Sequence, residues 1–146
     1  MDHDTAGKLR GLMRRCSIRN VRDDGEMQTC SVEVADGIWR DDVEVIMPFG
    51  FAAHVPADGA LGIVLAIGGD EGDLVVLPIA NPSTRMGGLK EGETAMYNRY
   101  GEKMLLSATG NVDLNAAAQV TVKGAGSVNV ESAGSVSLKA GSGKLE

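Results

Sequence analysis

The chain has few of the residues that build large cores, catalytic centres or metal sites. Its 146 residues include two Phe, two Tyr and one Trp, and its two histidines are His3 and His54. Cys16 and Cys30 lack CxxC spacing and nearby histidine ligands, so we interpret them as buried thiols rather than a zinc site or a disulfide framework. No GxSxG, HExxH, GxGxxG or Walker A motif occurs. The sequence therefore favours a protein that is not an enzyme and carries no cofactor.

Long apolar runs and excess positive charge are also missing. No stretch of eighteen apolar residues occurs, and the first residues, MDHDTAGKLR, carry charges where a signal peptide needs an apolar segment, which favours a soluble protein made in the cytoplasm. The formal net charge is −6. Residues 104–146 hold three basic and three acidic side chains, so the whole excess lies in residues 1–103. This charge argues against a nucleic-acid partner.

The last third of the chain contains a repeat of eight residues. It reads VDLNAAAQ, VTVKGAGS, VNVESAGS and VSLKAGSG over residues 112–143, after a degenerate copy, MLLSATGN, at 104–111. The first and third positions are aliphatic in all four clear octads, and this spacing places both side chains on one face of a strand. These residues are Val112, Leu114, Val120, Val122, Val128, Val130, Val136 and Leu138. Small residues close each octad and permit sharp corners and close backbone approach.

One chain cannot close a core with these octads. Two aliphatic side chains bury too little area to offset the entropy of ordering eight residues. A solenoid formed by a single chain needs about three rungs to be stable. Each rung would take about two octads, so the four octads make only about two rungs. Three copies winding about one axis bring the aliphatic pairs together and pair every strand edge. We therefore expect a homotrimeric, intertwined triple-stranded β-helix whose core is formed by the eight aliphatic residues.

The region before the repeat predicts a small β-barrel. Strand-like runs at 17–21, 27–35, 43–49, 62–67 and 74–79 are separated by turn signals rich in Gly, Asp and Pro. Five short strands in about sixty residues suit an OB-like barrel. The all-β chain is thus divided into an arm with a short helix (1–16, helix at 4–15), a barrel (17–80), a connector and collar hairpin (81–103, strands reaching Leu106) and a needle (104–146).

Three segments carry a family resemblance. DVEVIMPFGFAAH (42–54), GIVLAIGGD (62–70) and GETAMYNRYG (92–101) resemble the central spike proteins of Mu-like contractile phage baseplates, in an order that extends over nearly the whole chain. The resemblance implies a trimeric spike in the virion tail baseplate, or in a tail-like particle. Such a spike joins the tail tube and hub to the tip and pierces the host outer membrane when the sheath contracts.

The resemblance also shows one departure. Such spikes often end in a His-x-His pair with which three chains bind an apical iron ion, and no such pair follows Gly141. We expect either a tip cut short or a separate tip protein. The alternative function is an oligomeric OB-fold module that binds an oligonucleotide or glycan, with the repeat as its trimerising stem. A hydrolytic spike is disfavoured because no acid/base motif is present.

Several single residues have a functional and a structural interpretation. Phe49 and Phe51, predicted on one strand face, suit base stacking, but core or trimer-interface packing is favoured. His54 is interpreted as a structural histidine. The GGDEGD segment misses calcium-loop spacing, so Asp70, Glu71 and Asp73 are expected in a solvated turn. Arg10, Arg14 and Arg15 are expected to be surface charges or contacts to a neighbouring baseplate subunit.

Overall fold

A computed structural model of the chain describes residues 12–141. They form β-strands with two short 3-10 turns, and they fall into two compact units divided between Glu91 and Gly92. The predicted helix at 4–15 lies outside the described residues up to position 11. Its last three residues, Met13–Arg15, are in a strand, so that part of the prediction is wrong. Pairing of Met13 and Arg14 with Leu65 and Val64 overrides a weak helix signal.

The first unit is a closed five-stranded barrel. Its strands are β1 (Met13–Arg22), β2 (Thr29–Ala35), β3 (Ile38–Val45), β4 (Leu61–Ala66) and β5 (Leu74–Ala80). Their order around the barrel is β1-β2-β3-β5-β4, with β4 antiparallel to β1 and β3 parallel to β5. This is the predicted OB-like arrangement.

The barrel core consists of small side chains. Strand alternation directs them inward, and the buried set comprises Cys16, Ile18, Cys30, Val32, Val43, Val45, Ala60, Val64, Ala66, Leu74 and Val76. Val32 and Val76 have no exposed surface. Because no aromatic ring is needed to fill this interior, the low aromatic content is compatible with a closed barrel.

Strands β1 and β3 differ most from the prediction. Strand β1 starts four residues earlier than expected because its first residues pair with β4 and close the barrel. Strand β3 starts at Ile38, directly after a turn at Gly37, and ends at Val45 instead of residue 49. Pro48 lies just beyond this end, and a proline has no N–H with which to extend the ladder.

Polar side chains join the outer faces of three strands. Asn20 in β1 and Asp42 in β3 adopt left-handed backbone conformations. The pairing registers of β1 and of β3 with β2 shift close to these two residues. The Asn20 amide donates to the hydroxyl of buried Ser31 at 3.2 Å, and that hydroxyl donates to the Asp41 carboxylate at 2.5 Å. Arg22 pairs with Asp42. The buried serine is therefore hydrogen-bonded on both sides, as a buried polar group requires.

The second unit begins with a three-stranded antiparallel sheet. Strands β6 (Thr94–Tyr97) and β7 (Lys103–Leu106) form the predicted collar hairpin around a turn that ends at Gly101. Strand β8 (Val112–Asn115), the start of the first octad, adds to the free edge of β7. The degenerate octad therefore pairs with the first clear one.

From residue 116 to residue 141 the chain forms no regular strand, and its backbone bends once in every octad. Bends fall at residues 117–118, 125–126 and 133–134, and again at Gly141, always at the sixth or seventh position of an octad. No glycine between residues 112 and 141 has a positive φ. These bends therefore do not depend on left-handed glycine conformations.

Cys16 and Cys30 are buried free thiols, as predicted. Burial raises the pKa of the Cys30 thiol to about 11, with a smaller contribution from nearby Cys16, and burial likewise raises the pKa of Cys16. Because the thiolate is the reactive form, we expect neither thiol to react with a disulfide reagent at pH 8 in the folded chain. Both should react after unfolding in guanidinium. Rapid labelling of either cysteine without denaturant would contradict the buried placement.

Candidate functional site

One face of the three-stranded sheet is apolar and uncovered in the single chain. The register places Met104 opposite both Met96 and Leu114, and Leu106 opposite Val112, so these five side chains share one face. Four of them are exposed by between 43 and 67%, and Met104 is half-buried. Sequence reasoning assigned only Val112 and Leu114 to this face. The signal for Met104 and Leu106 was their place at the first and third positions of the degenerate octad.

The aliphatic residues of all four octads are exposed as well. The eight residues predicted to line the needle core are between 49 and 72% exposed in the single chain. Val112 and Leu114 lie in β8, and the other six lie outside regular strands. A stable monomer rarely presents so long a series of apolar side chains to water. Their assignment to a trimer core stays a prediction.

Gly124 lies against the backbone that follows the next bend. A Cβ atom added there would lie 2.7 Å from the carbonyl oxygen of Ser127 and 3.1 Å from the Val128 side chain. The neighbouring backbone therefore folds closely against this position. The close approach follows from the bend at residues 125–126 that separates one aliphatic pair from the next.

The barrel carries a second exposed apolar feature, the Phe49 turn (residues 48–51). The chain turns here with a hydrogen bond from the Phe51 N–H to the Pro48 carbonyl at 3.1 Å, and Gly50 takes a φ of 87°. Phe49 is fully exposed and Phe51 is 64% exposed. The prediction that both lie on one strand face is wrong, because β3 ends at Val45.

The loop that presents this turn, residues 46–60, is attached firmly to the barrel. The Gln28 side-chain amide donates to the Ala53 carbonyl at 3.2 Å. The buried Asn81 side chain donates to the carbonyls of Pro56 and Asp58 at 2.7 and 2.6 Å. Sequence reasoning did not identify Gln28 or Asn81 as anchors, and the Asn-Pro dipeptide at 81–82 signalled only a turn. His54, on the same loop, is exposed.

Residues 15–83 match the family model described as Bacteriophage Mu Gp45, N-terminal. The barrel is a Mu Gp45-family domain. The resemblance to the central spike proteins of Mu-like phages is thereby confirmed over this part of the chain. No protein in a search of curated sequences matches the chain.

The Mu Gp45-family barrel is acidic where OB-folds bind their ligands. Such barrels use strands β2 and β3 and the loops after β1 and β4. The loop after β1 holds Asp23, Asp24 and Glu26, and the loop after β4 holds Asp70, Glu71 and Asp73. Asp70 accepts the Gly72 N–H at 2.8 Å, and Glu71 lies 3.6 Å from Arg14. Both loops are exposed, and the second has the turn structure expected of it.

An aromatic platform on the outer face of the barrel is already occupied. Trp39 of β3 lies beneath the Arg19 guanidinium, whose central carbon is 3.8 Å from the ring centroid. A stacking base would have to displace this cation–π contact. Together with the six carboxylates of the two loops, the arrangement disfavours the alternative function as an oligonucleotide-binding module.

Neither a metal centre nor a membrane-spanning helix is found in the described part of the chain. Between residues 12 and 141, no cluster of three His, Cys, Asp or Glu side chains is placed to hold a metal ion. Over the same range, no helix is long and apolar enough to cross a bilayer.

The acidic loops generate a binding prediction. We expect the protein to show no appreciable binding to fluorescein-labelled single-stranded DNA in an anisotropy titration at physiological salt, because the loop carboxylates repel phosphates. Replacing Asp23, Asp24 and Glu26 together by Asn, Asn and Gln is expected to raise weak binding at low salt only. Tight, salt-sensitive binding by the unaltered protein would support the oligonucleotide-binding alternative.

Proposed function

We propose that the protein is a structural, non-enzymatic subunit of the central spike in the baseplate of a contractile phage tail or of a related tail-like particle. In this proposal the chain forms a homotrimer whose octads wind into a triple-stranded β-helical needle. The Mu Gp45-family barrel supports a structural role in a phage baseplate. The needle rests on the repeat, and its role in penetration rests on the resemblance to central spike proteins.

The observation that carries the proposal is the exposure of the eight octad aliphatics in register. Each pair stands at the first and third positions of its octad, and all eight side chains are at least 49% exposed in the single chain. In the proposed trimer, the same octads of two further chains cover these side chains, so no other sequence element is needed. The bend that recurs in each octad at the same position lets three chains change direction together at every level.

The face of the β6-β8 sheet extends the same argument. Met96, Met104 and Leu106 continue the apolar surface formed by Val112 and Leu114. In the trimer, this face is buried together with the needle core. The proposed core therefore begins in the collar, before the first clear octad.

Mechanical rigidity follows from such an assembly. A needle whose strand edges are all paired and whose core is dry resists bending, since bending breaks backbone hydrogen bonds along its whole length. On contraction of the sheath, the spike transmits force and pierces the host outer membrane. No catalytic group and no cofactor is part of this mechanism.

The partners follow from the position of a central spike. The barrels join the needle to the hub and tail-tube proteins of the baseplate. The host outer membrane is a transient contact. Assembly takes place in the cytoplasm of the host, and the protein resides in the virion tail.

The direction in which the Val128 side chain points provides a test of the proposed needle. Val128→Asp places three unpaired carboxylates in the proposed dry core, where each costs several kcal/mol and all three repel one another, on the order of the penalties known for buried charges. We expect the variant to lose the thermal transition of the assembled needle. Circular dichroism during heating measures this loss.

Asn129→Asp is the matched control. It adds the same charge to the same octad one residue along, where the side chain faces water, and its effect should stay within about 0.5 kcal/mol, as at ordinary surface sites. Equal melting of the two variants would mean that the octads have no inward aliphatic face, and the needle would be wrong.

A further inference from the structure

The Phe49 turn has the features of a preformed docking element. The loop behind it is held by the Gln28 and Asn81 side chains, while Phe49 at its tip is fully exposed. The two phenylalanines of the chain both lie in this turn. Aromatic side chains on a fixed backbone lose little entropy on binding, which makes them effective anchors of protein interfaces. Two exposed rings at one turn therefore call for a partner surface.

A cleft on the same barrel has a matching size and chemistry. It has a volume of about 390 Å³ and is lined by Arg15, Glu33, Val34, Ala35, Asp36 and Leu61, among others. The lining is largely polar, with Val34 and Leu61 as half-buried aliphatics among the polar groups. The Arg15 guanidinium suits the face of an aromatic ring, as Arg19 already shows on Trp39, and the carboxylates of Glu33 and Asp36 suit ring edges.

We propose that the Phe49 turn of one copy enters this cleft on the next copy, so that the three barrels of the spike lock into a ring. The inference rests on the proposed trimer. A three-fold ring requires two different, complementary surfaces on every chain, and this barrel carries both an exposed aromatic turn and a cleft with an arginine in its lining. The needle tethers the three barrels, so the turn and the cleft meet at high effective concentration.

The charge distribution favours a second copy of this chain as the partner whose turn enters the cleft. The barrels repel one another because the net charge of −6 lies entirely in residues 1–103. Residues 46–57 contain no Asp, Glu, Lys or Arg. Contact through this uncharged segment lets acidic barrels approach without placing like charges against each other.

Paired cysteines test the contact while leaving both rings in place. Ala52→Cys lies next to the turn and Ala35→Cys lies in the cleft, and both positions are exposed in the single chain. The native cysteines are buried. With a short bis-maleimide, we expect the double variant to give mainly covalent trimers on a denaturing gel, because each turn links to the cleft of the next copy. Each single variant should give none above background.

Two controls complete the experiment. Ala52→Cys with Asp24→Cys moves the second thiol to the loop after β1, outside the cleft, and should give no covalent trimer. Adding Phe49→Ser and Phe51→Ser to the linked pair should reduce the covalent trimer at least tenfold, while light scattering still shows three chains.

The outcomes separate the two proposals. A trimer by light scattering without cross-links between turn and cleft would overturn this inference and leave the spike intact, with the turn free for another baseplate protein. Equal cross-linking of the Asp24→Cys control would also overturn it. A monomer by light scattering would overturn the spike itself.

Discussion

Each octad supplies two aliphatic side chains, at its first and third positions, that nothing in the single chain covers. This constraint governs the second unit of the protein. The collar strands, β8 and the later octads present the same kind of uncovered face, and the backbone bends at the same octad positions between one aliphatic pair and the next. In the proposed trimer, two further copies of the chain cover these aliphatic side chains, so no additional sequence is needed. This accounts for a repeat in which Val, Ala, Gly and Ser make up about two thirds of the residues.

The barrel solves a different problem with equally small residues. Its strands close on themselves, so aliphatic and cysteine side chains fill the interior without an aromatic ring, and no sheet edge is left open. The two phenylalanines are thereby available for the surface, where a loop fixed by Gln28 and Asn81 displays them. The acidic loops that surround the usual OB-fold ligand face repel polyanions. They therefore favour protein partners for this Mu Gp45-family domain.

The sequence predicted the elements whose signal is local. Alternating runs and turn residues located the five barrel strands, and the collar hairpin followed from its turn at Gly101. The octad spacing placed every later backbone bend. Elements set by distant pairing were beyond reach: β1 begins at Met13 because Leu65 pairs with it, and β3 ends at Val45, which removes Phe49 from the sheet. The anchoring roles of Gln28 and Asn81 depend on carbonyls about twenty-five residues away, which no local pattern reveals.

The proposed homotrimer is tested most directly by a measurement on the assembled protein. Light scattering of the purified full-length chain, repeated at decreasing concentration, measures its mass in solution. The account predicts three times the chain mass of 15.2 kDa, maintained at micromolar concentration and below, because the aliphatic faces have no cover in a single chain. A folded monomer at micromolar concentration would contradict it.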